Sequence, residues 1–236
     1  MGPASHGTAR RGRHMETGSP GYRVGTADPL TRGDPADWLQ ALRDGTRAAH
    51  QRVESHPVLL PLQSDRLTMA QYRRALAVFL AYFAALEAVL PPWLERFPQA
   101  GYRYLPRHPL IRRDLMDIGA VLPEGHSGAV PQLISRNHLL GVLYVLEGAT
   151  QGGRVIAPRL QRRLGLDARR GARYFHLYHA GQWRSFRASL GGAAPRGGLE
   201  QALAGARSTF HALEAHLAAA NSEQPKESLH GAYRPL

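Results

Sequence analysis

Cysteine is absent from the sequence of 236 residues. The chain therefore has no disulfide bond, no iron–sulfur cluster and no metal centre held by cysteine thiolates. A protein without disulfides agrees with a reducing compartment, so we expect a cytoplasmic location.

Long apolar runs are also lacking. The longest, residues 75–86, stops at Glu87 and falls well short of the roughly 20 apolar residues that cross a bilayer. The N-terminus shows no apolar segment of the kind that a secretory signal peptide contains. Because 43% of the residues are nevertheless apolar, the chain can bury one sizeable core, and we expect a globular protein that does not enter a membrane.

Acidic residues are scarce relative to basic ones. The sequence has 18 Asp and Glu against 30 Lys and Arg, which gives a net charge of +12. One interpretation is an ordinary solvated basic surface. The other is attraction of anions, such as the carboxylates of a ligand, an acidic partner protein or nucleic acid. No nucleic-acid-binding motif accompanies the charge, so nucleic acid ranks last among these partners.

Alternation of apolar and polar residues, the pattern of strands, does not recur, whereas apolar residues repeat at steps of three and four. The sequence therefore predicts an all-α fold with about six core helices in one domain. Asp34 can cap the first helix, with Pro35 at its first position. Thr68 and Gln71 predict a capping box at the start of the second. The predicted helices cover residues 38–54, 68–90, 109–118, 131–164, 168–190 and 199–220.

The two ends of the chain differ in composition from its middle. Residues 1–33 are rich in Gly, Pro, Ser, Arg and Thr without an apolar period, which predicts a disordered tail. Residues 34–220 are expected to fold as the domain, and residues 221–236 to form a second tail. Loops are predicted at the segment that contains Trp93 and Tyr104, at residues 119–130 and at residues 191–198.

The most informative segment is residues 141–156 (GVLYVLEGATQGGRVI), where three glycines interrupt a helical pattern. Each interior glycine costs roughly 1 kcal/mol relative to alanine. Such a cluster indicates a need for bare backbone: a kink, a tight helix crossing or a flat ligand against the main chain. Gly148 and Gly152 are four residues apart and share one helix face, with Gly153 beside them.

A second segment contributes a histidine. One face of the first predicted helix carries Leu39, Leu42, Thr46, His50 and Val53. His50 is therefore expected to point toward the core, where a neutral imidazole can ligate a metal. Glu54, one turn further on, can orient the ring through its other nitrogen. The alternative is a hydrogen-bonded core histidine next to an exposed helical glutamate.

Four segments carry a resemblance to a known family. They are residues 42–50 (LRDGTRAAH) with Val53 and Glu54, residues 143–156 (LYVLEGATQGGRVI), residues 171–175 (GARYF) continued by 183–186 (WRSF), and residues 206–210 (ARSTF). Their order and spacing resemble the bacterial haem oxygenases that produce biliverdin, of the type associated with bacterial phytochromes.

This resemblance implies a single-domain helical bundle of the haem-oxygenase type. Haem would be both substrate and cofactor, and O2 would open its ring to biliverdin, CO and ferrous iron. Electrons would come from a reductase or ferredoxin, expected to be acidic because this chain is basic. A bacterial phytochrome would be the biliverdin acceptor.

The resemblance also assigns the residues on the iron-ligand side. His50 would be the axial iron ligand, and Glu54 the carboxylate near it. Thr46 would pack against the haem or cap backbone, and Phe210 would contact the haem. The propionate contacts would be Arg43, Tyr144, Arg184 and Arg187. The family pattern often has a cation four residues after Arg184, where this chain has Ala188, and Arg187 is the nearest substitute.

On the opposite side of the haem, the catalytic segment would be Gly148, Ala149, Thr150 and Gly152, with Gly153 also contacting the haem. Mammalian-type members have an aspartate directly after the first of these glycines, and this chain has Ala149 there. Thr150 or backbone carbonyls would then hold the water that the aspartate otherwise organises.

Alternatives remain open at this stage. A non-catalytic haem-binding or haem-transfer protein would share His50 and the arginines. A haem-free enzyme of the same superfamily, such as a thiaminase-like hydrolase, needs a cysteine that this chain lacks. His138 is the second choice for the iron ligand, and His176 and His179 are expected at the surface.

Overall fold

The computed structural model describes three stretches of chain: residues 35–122, 128–190 and 198–222. All of them belong to one compact unit, Arg32–Leu236. Outside the described residues lie the predicted N-terminal tail, the Asp34 cap, residues 123–127 and 191–197 of the predicted loops, and the C-terminal tail from residue 223 onward.

The described residues contain helices and no strand; a single isolated bridge joins Asp167 and Gly171. This confirms the predicted all-α fold. The α-helices are α1 (Pro35–Glu54), α2 (Met69–Val89), α3 (Pro91–Arg96), α4 (His108–Asp117), α5 (Arg136–Ala149), α6 (Gly153–Leu164), α7 (Gln182–Leu190) and α8 (Leu199–Ser222). Short 3-10 helices cover Leu60–Gln63, Thr150–Gly152 and Tyr174–Ala180.

Side-chain caps fix where two of the long helices begin. The predicted capping box of α2 is present: the Thr68 hydroxyl accepts from the Gln71 amide, and the Gln71 side chain accepts from the Thr68 amide. Ser135 is extended, and its hydroxyl accepts from the His138 amide. For this reason α5 begins at Arg136, whereas the sequence had predicted a start at residue 131.

Two further predictions of local structure were wrong. Trp93 lies in α3, not in a loop, because prolines in a first helical turn lose no hydrogen bond. The region from residue 168 to 190 is not one helix. Gly171 and Gly181 have φ angles of 76° and 73°, which a continuous right-handed helix does not allow.

The core forms where α1, α2 and α5 surround α8. The largest helix–helix interface is that of α5 with α8. There the backbones approach so closely that a Cβ on Gly141 would overlap the Ala202 carbonyl, and one on Gly205 would overlap that of His138. This packing brings the end of α5, where the glycine cluster lies, into a fixed relation to α8 and through it to α1.

Among the described helices, none is long and apolar enough to cross a membrane.

Candidate functional site

A largely apolar cavity of about 330 Å³ brings the two sequence-predicted segments together. α1 contributes His50, Val53 and Glu54 to its wall, and the end of α5 with the following turn contributes Gly148, Ala149, Gln151 and Gly152. The remaining wall comes from the turn after α1, from α2, α6 and α8, and from the 3-10 helix after α6; its aromatic members are Phe79, Tyr82, Phe83, Tyr174, Phe175 and Phe210.

His50 lies at the edge of the buried face of α1, not at its centre. Its side chain is 55% exposed, whereas Leu42, Thr46, Ala49 and Val53 are buried. At 3.6 residues per turn, His50 stands about 80° around the helix from Leu42. The expectation that it faces the core was therefore wrong in detail: His50 lines the cavity with an accessible ring.

One ring nitrogen of His50 has a defined neighbour. Its Nδ1 lies 3.3 Å from Glu54 Oε2, and the imidazole and the Phe210 ring form a T-shaped pair with 6.0 Å between ring centroids. A carboxylate at this position favours the tautomer with its proton on Nδ1. The lone pair of Nε2 is then available to a metal, in the arrangement that orients histidine ligands in many metalloproteins.

Gly148, Ala149 and Gly152, which we call the glycine strip, line the cavity, and its two glycines can present only main chain. A Cβ added at Gly152 would meet nothing within 4 Å, and one at Gly148 would meet only Trp183 Cζ3, at 3.9 Å. The 3-10 turn Thr150–Gly152 interrupts the helix at this point. A flat ligand can therefore approach the backbone here without a collision with side chains.

Gly153 serves a different purpose from the one predicted. It is buried, it is not among the described residues that line the cavity, and a Cβ on it would overlap the Phe175 carbonyl. Gly153 thus allows α6 to cross closely over the 3-10 helix Tyr174–Ala180. Two of the needs inferred from the glycine cluster, a free surface and a tight crossing, are met by different glycines.

Two threonines predicted at the site bond within their own helical turns. The Thr46 hydroxyl donates to the Leu42 carbonyl at 2.7 Å, and the Thr150 hydroxyl donates to the Glu147 carbonyl at 2.6 Å. Neither is among the described residues that line the cavity. Thr46 thus takes the second of its two predicted roles, a bond to backbone, and beside Thr150 it is Gln151 that lines the cavity wall.

None of the four predicted propionate contacts is among the described residues that line the cavity. Arg43, Arg184 and Arg187, which we call the basic edge, are exposed. Burial raises the pKa of the Tyr144 phenol, and the nearby Thr46 hydroxyl and Arg43 charge lower that pKa in part. The Tyr144 ring packs against Trp183, and Arg187 lies 5.9 Å from the Trp183 ring centroid. Tyr144 of α5 and Trp183 of α7 therefore lie side by side at the Gly148 end of the glycine strip.

The other candidate histidines lie away from the cavity. His138 is buried under α8, and burial lowers its pKa. The rings of His176 and His179 stack 5.8 Å apart in the 3-10 helix Tyr174–Ala180. His179 is exposed, as expected, but His176 is partly buried. Within the described part of the chain, no group of three or more His, Cys, Asp or Glu side chains could hold a metal ion.

Comparison with known proteins identifies the family. A family model described as "Heme oxygenase" matches residues 36–117. A protein from Xanthomonas campestris pv. campestris (strain 8004), named "Heme oxygenase", is 36% identical over 163 residues, which cover 66% of this chain and 92% of that protein. The chain belongs to the haem oxygenase family.

Solved structures of haem oxygenases have the same fold. The Neisseria meningitidis haem oxygenase, solved with NO and CO bound, has a TM-score of 0.63 at 22% identity, covering 80% of this chain and 94% of its own. The Leptospira interrogans haem oxygenase has a TM-score of 0.60 at 19% identity, covering 77% and 98%. These similarities confirm the predicted haem-oxygenase-like helical bundle.

Alanine replacement of two adjacent glycines tests how this haem oxygenase divides its glycine cluster. Both residues have helical φ angles, −58° for Gly152 and −56° for Gly153, so alanine strains neither backbone. Gly152→Ala should leave the free energy of unfolding unchanged or raise it by up to about 1 kcal/mol. Gly153→Ala should lower it by about 1–3 kcal/mol, because the methyl group overlaps the Phe175 carbonyl.

Urea unfolding of the ligand-free protein measures both values. Equal loss of stability in the two variants would show that Gly152 is packed as tightly as Gly153, and the bare surface would not exist.

Proposed function

We propose that this member of the family is a catalytically active haem oxygenase that binds haem between His50 and the glycine strip. It would cleave haem with O2 and reducing equivalents to biliverdin, CO and ferrous iron. The observation that carries the proposal is that His50 and the strip line the same cavity. They lie about a hundred residues apart in the chain, and two independent sequence patterns point to them. The helical spacing of α1 indicates a metal ligand, and the glycine cluster indicates a surface for a flat ligand.

The cavity's own residues fit a porphyrin. Its wall is mostly apolar, with several aromatic rings, and its volume is within the range of small-molecule sites. His50 can give iron one nitrogen, and a porphyrin brings the others. This fits a chain whose described residues contain no multi-residue metal site. The basic edge would offer positive charge to the carboxylates of a bound porphyrin.

The side chains have separable roles in this proposal. Bound haem supplies the redox chemistry with O2. His50 would hold the iron through Nε2, and Glu54 would fix the ring by accepting a hydrogen bond from Nδ1–H. The glycine strip has no acidic or basic side chain, so the space beside it is shaped by backbone and not by a charged catalytic group. The aromatic wall would exclude bulk water from the reacting edge.

The partners follow from charge and family resemblance. An acidic reductase or ferredoxin as electron donor fits the net charge of +12. A bacterial phytochrome as the acceptor of biliverdin rests on the sequence resemblance alone.

The second candidate is a haem-binding or haem-transfer protein without turnover. The accessible His50 and the basic edge suit it equally, so binding alone does not separate the two. Product formation under air with a reductant separates them.

Replacement of His50 tests the proposed ligand. His50→Ala should lower biliverdin formation by about 100-fold or more, because the iron loses the contact that positions it. Stability should change little, since the side chain is exposed. Added imidazole should restore part of the activity. His211→Ala is the matched control, because His211 is an exposed histidine of α8 next to Phe210.

Turnover is followed by the absorption of biliverdin. If His50→Ala turns over at the wild-type rate without imidazole, His50 is not the iron ligand.

Replacement of the arginines tests the basic edge. Arg43→Ala and Arg184→Ala should each weaken haem binding about two- to fivefold, a modest effect because both side chains are exposed. The mixture of biliverdin isomers should also change, since the haem loses a contact that fixes its rotation. Arg162→Ala, on the exposed face of α6, removes the same charge elsewhere.

Haem titration and chromatography of the product give the two readouts. If all three variants behave alike, the arginines act through overall charge and do not contact the propionates.

A further inference from the structure

A buried polar cluster lies directly next to the glycine strip and outside the cavity lining. Glu147 immediately precedes Gly148 in the otherwise apolar second half of α5, and it is fully buried. Arg107, 1% exposed, places its Nη2 2.7 Å from Glu147 Oε1. The Tyr102 hydroxyl donates to the same carboxylate oxygen at 2.5 Å. The end of α5 is therefore joined to the segment before α4 by an ion pair and a hydrogen bond.

The same segment is joined to α2 on its other side. Glu87 Oε1 accepts from the Arg107 amide at 2.5 Å and from the Tyr104 hydroxyl at 2.8 Å. The Arg107 guanidinium also lies over the Tyr104 ring, 4.2 Å from its centroid. The cluster thus connects α2, through Arg107, to the residue that precedes the strip.

Stability alone does not account for this arrangement. Removing two charges from water is costly, and a buried ion pair replaced by apolar residues of similar size is commonly neutral or stabilising. What such a pair gives more reliably is a defined geometry, because each partner is also held by a hydrogen bond: Arg107 Nη1 donates to the Leu105 carbonyl, and Glu147 Oε1 accepts from Tyr102.

The glycine strip needs such a constraint. Gly148 and Gly152 have no side chains to anchor them, and their added Cβ atoms would meet little or nothing. The Thr150 hydroxyl bonds within its own turn, to the Glu147 carbonyl. On the α5 side of the strip, Glu147 is therefore the adjacent residue whose side chain can fix its position relative to α2.

We propose that Arg107 and Tyr102 position the glycine strip by fixing Glu147, and that these three are positioning residues which do not touch the ligand. The importance of the strip for haem rests on the function proposed above. The mechanical claim, that the cluster holds the strip, does not depend on haem and can be tested without it.

Two tyrosines of the cluster form a matched pair for the test. Tyr102→Phe removes the hydrogen bond to Glu147, and Tyr104→Phe removes the equivalent bond to Glu87. In the haem-free protein, hydrogen exchange of the amides of residues 148–152 should speed up about tenfold in Tyr102→Phe, the factor for loss of one hydrogen bond to a charged group. The same amides should keep their wild-type rates in Tyr104→Phe.

Haem affinity supplies the second readout. It should fall severalfold in Tyr102→Phe and remain at the wild-type value in Tyr104→Phe. Unchanged exchange at the strip in Tyr102→Phe, or equal acceleration in both variants, overturns the proposal. If amide exchange at the strip speeds up in Tyr102→Phe as expected but the wild-type protein binds no haem, the proposed function is refuted and the positioning role stands.

A double variant separates positioning from stability. Arg107→Met with Glu147→Met removes both charges together, so folding should survive. We expect wild-type unfolding midpoints with fast exchange at the strip and weakened haem binding. If the double variant has wild-type exchange at the strip and wild-type haem affinity as well as wild-type stability, the ion pair does not position the strip. If this variant does not fold, the tyrosine comparison decides the question.

Discussion

The backbone of a helix can touch a flat ligand only where no side chains stand between them. This constraint organises the end of α5. Gly148 and Gly152 leave the backbone bare toward the cavity, and the short 3-10 turn gives the segment its break. Because a bare segment has no side chains to anchor it, neighbouring residues fix its position. Gly153 packs on the Phe175 carbonyl, and Glu147 is buried in an ion pair.

The cavity combines this bare surface with one accessible nitrogen. His50 lies on the edge of α1, close enough to the core for its ring to pack on Phe210 and far enough from it for the imidazole to stay open. Glu54, one turn away, places a carboxylate oxygen 3.3 Å from the Nδ1 atom of the ring. The arrangement suits a ligand that carries its own metal, because it offers an apolar wall and one accessible histidine nitrogen.

Much of the fold and part of the site could be read from the sequence, because both depend on local patterns. The period of apolar residues gave the helices, and the Thr68 capping box and the Pro35 start of α1 are where predicted. His50, Gly148 and Gly152 do share a cavity. The bonds of the Thr46 and Thr150 hydroxyls to their own helices and the packing of Gly153 on Phe175 could not be read in this way, since spacing tells which residues share a face but not which neighbour each one meets. The pairing of Glu147 with Arg107, forty residues apart, left one signal: an acidic residue inside an apolar run.

The most direct test of the central claim is a haem titration of the purified protein, followed by addition of a reductant under air. The account predicts a Soret band that saturates at one haem per chain and then gives way to the broad absorption of biliverdin, with release of CO. Absence of a saturable Soret band would contradict haem binding in this cavity. A Soret band that persists through reduction in air would contradict the catalytic role and identify a haem carrier.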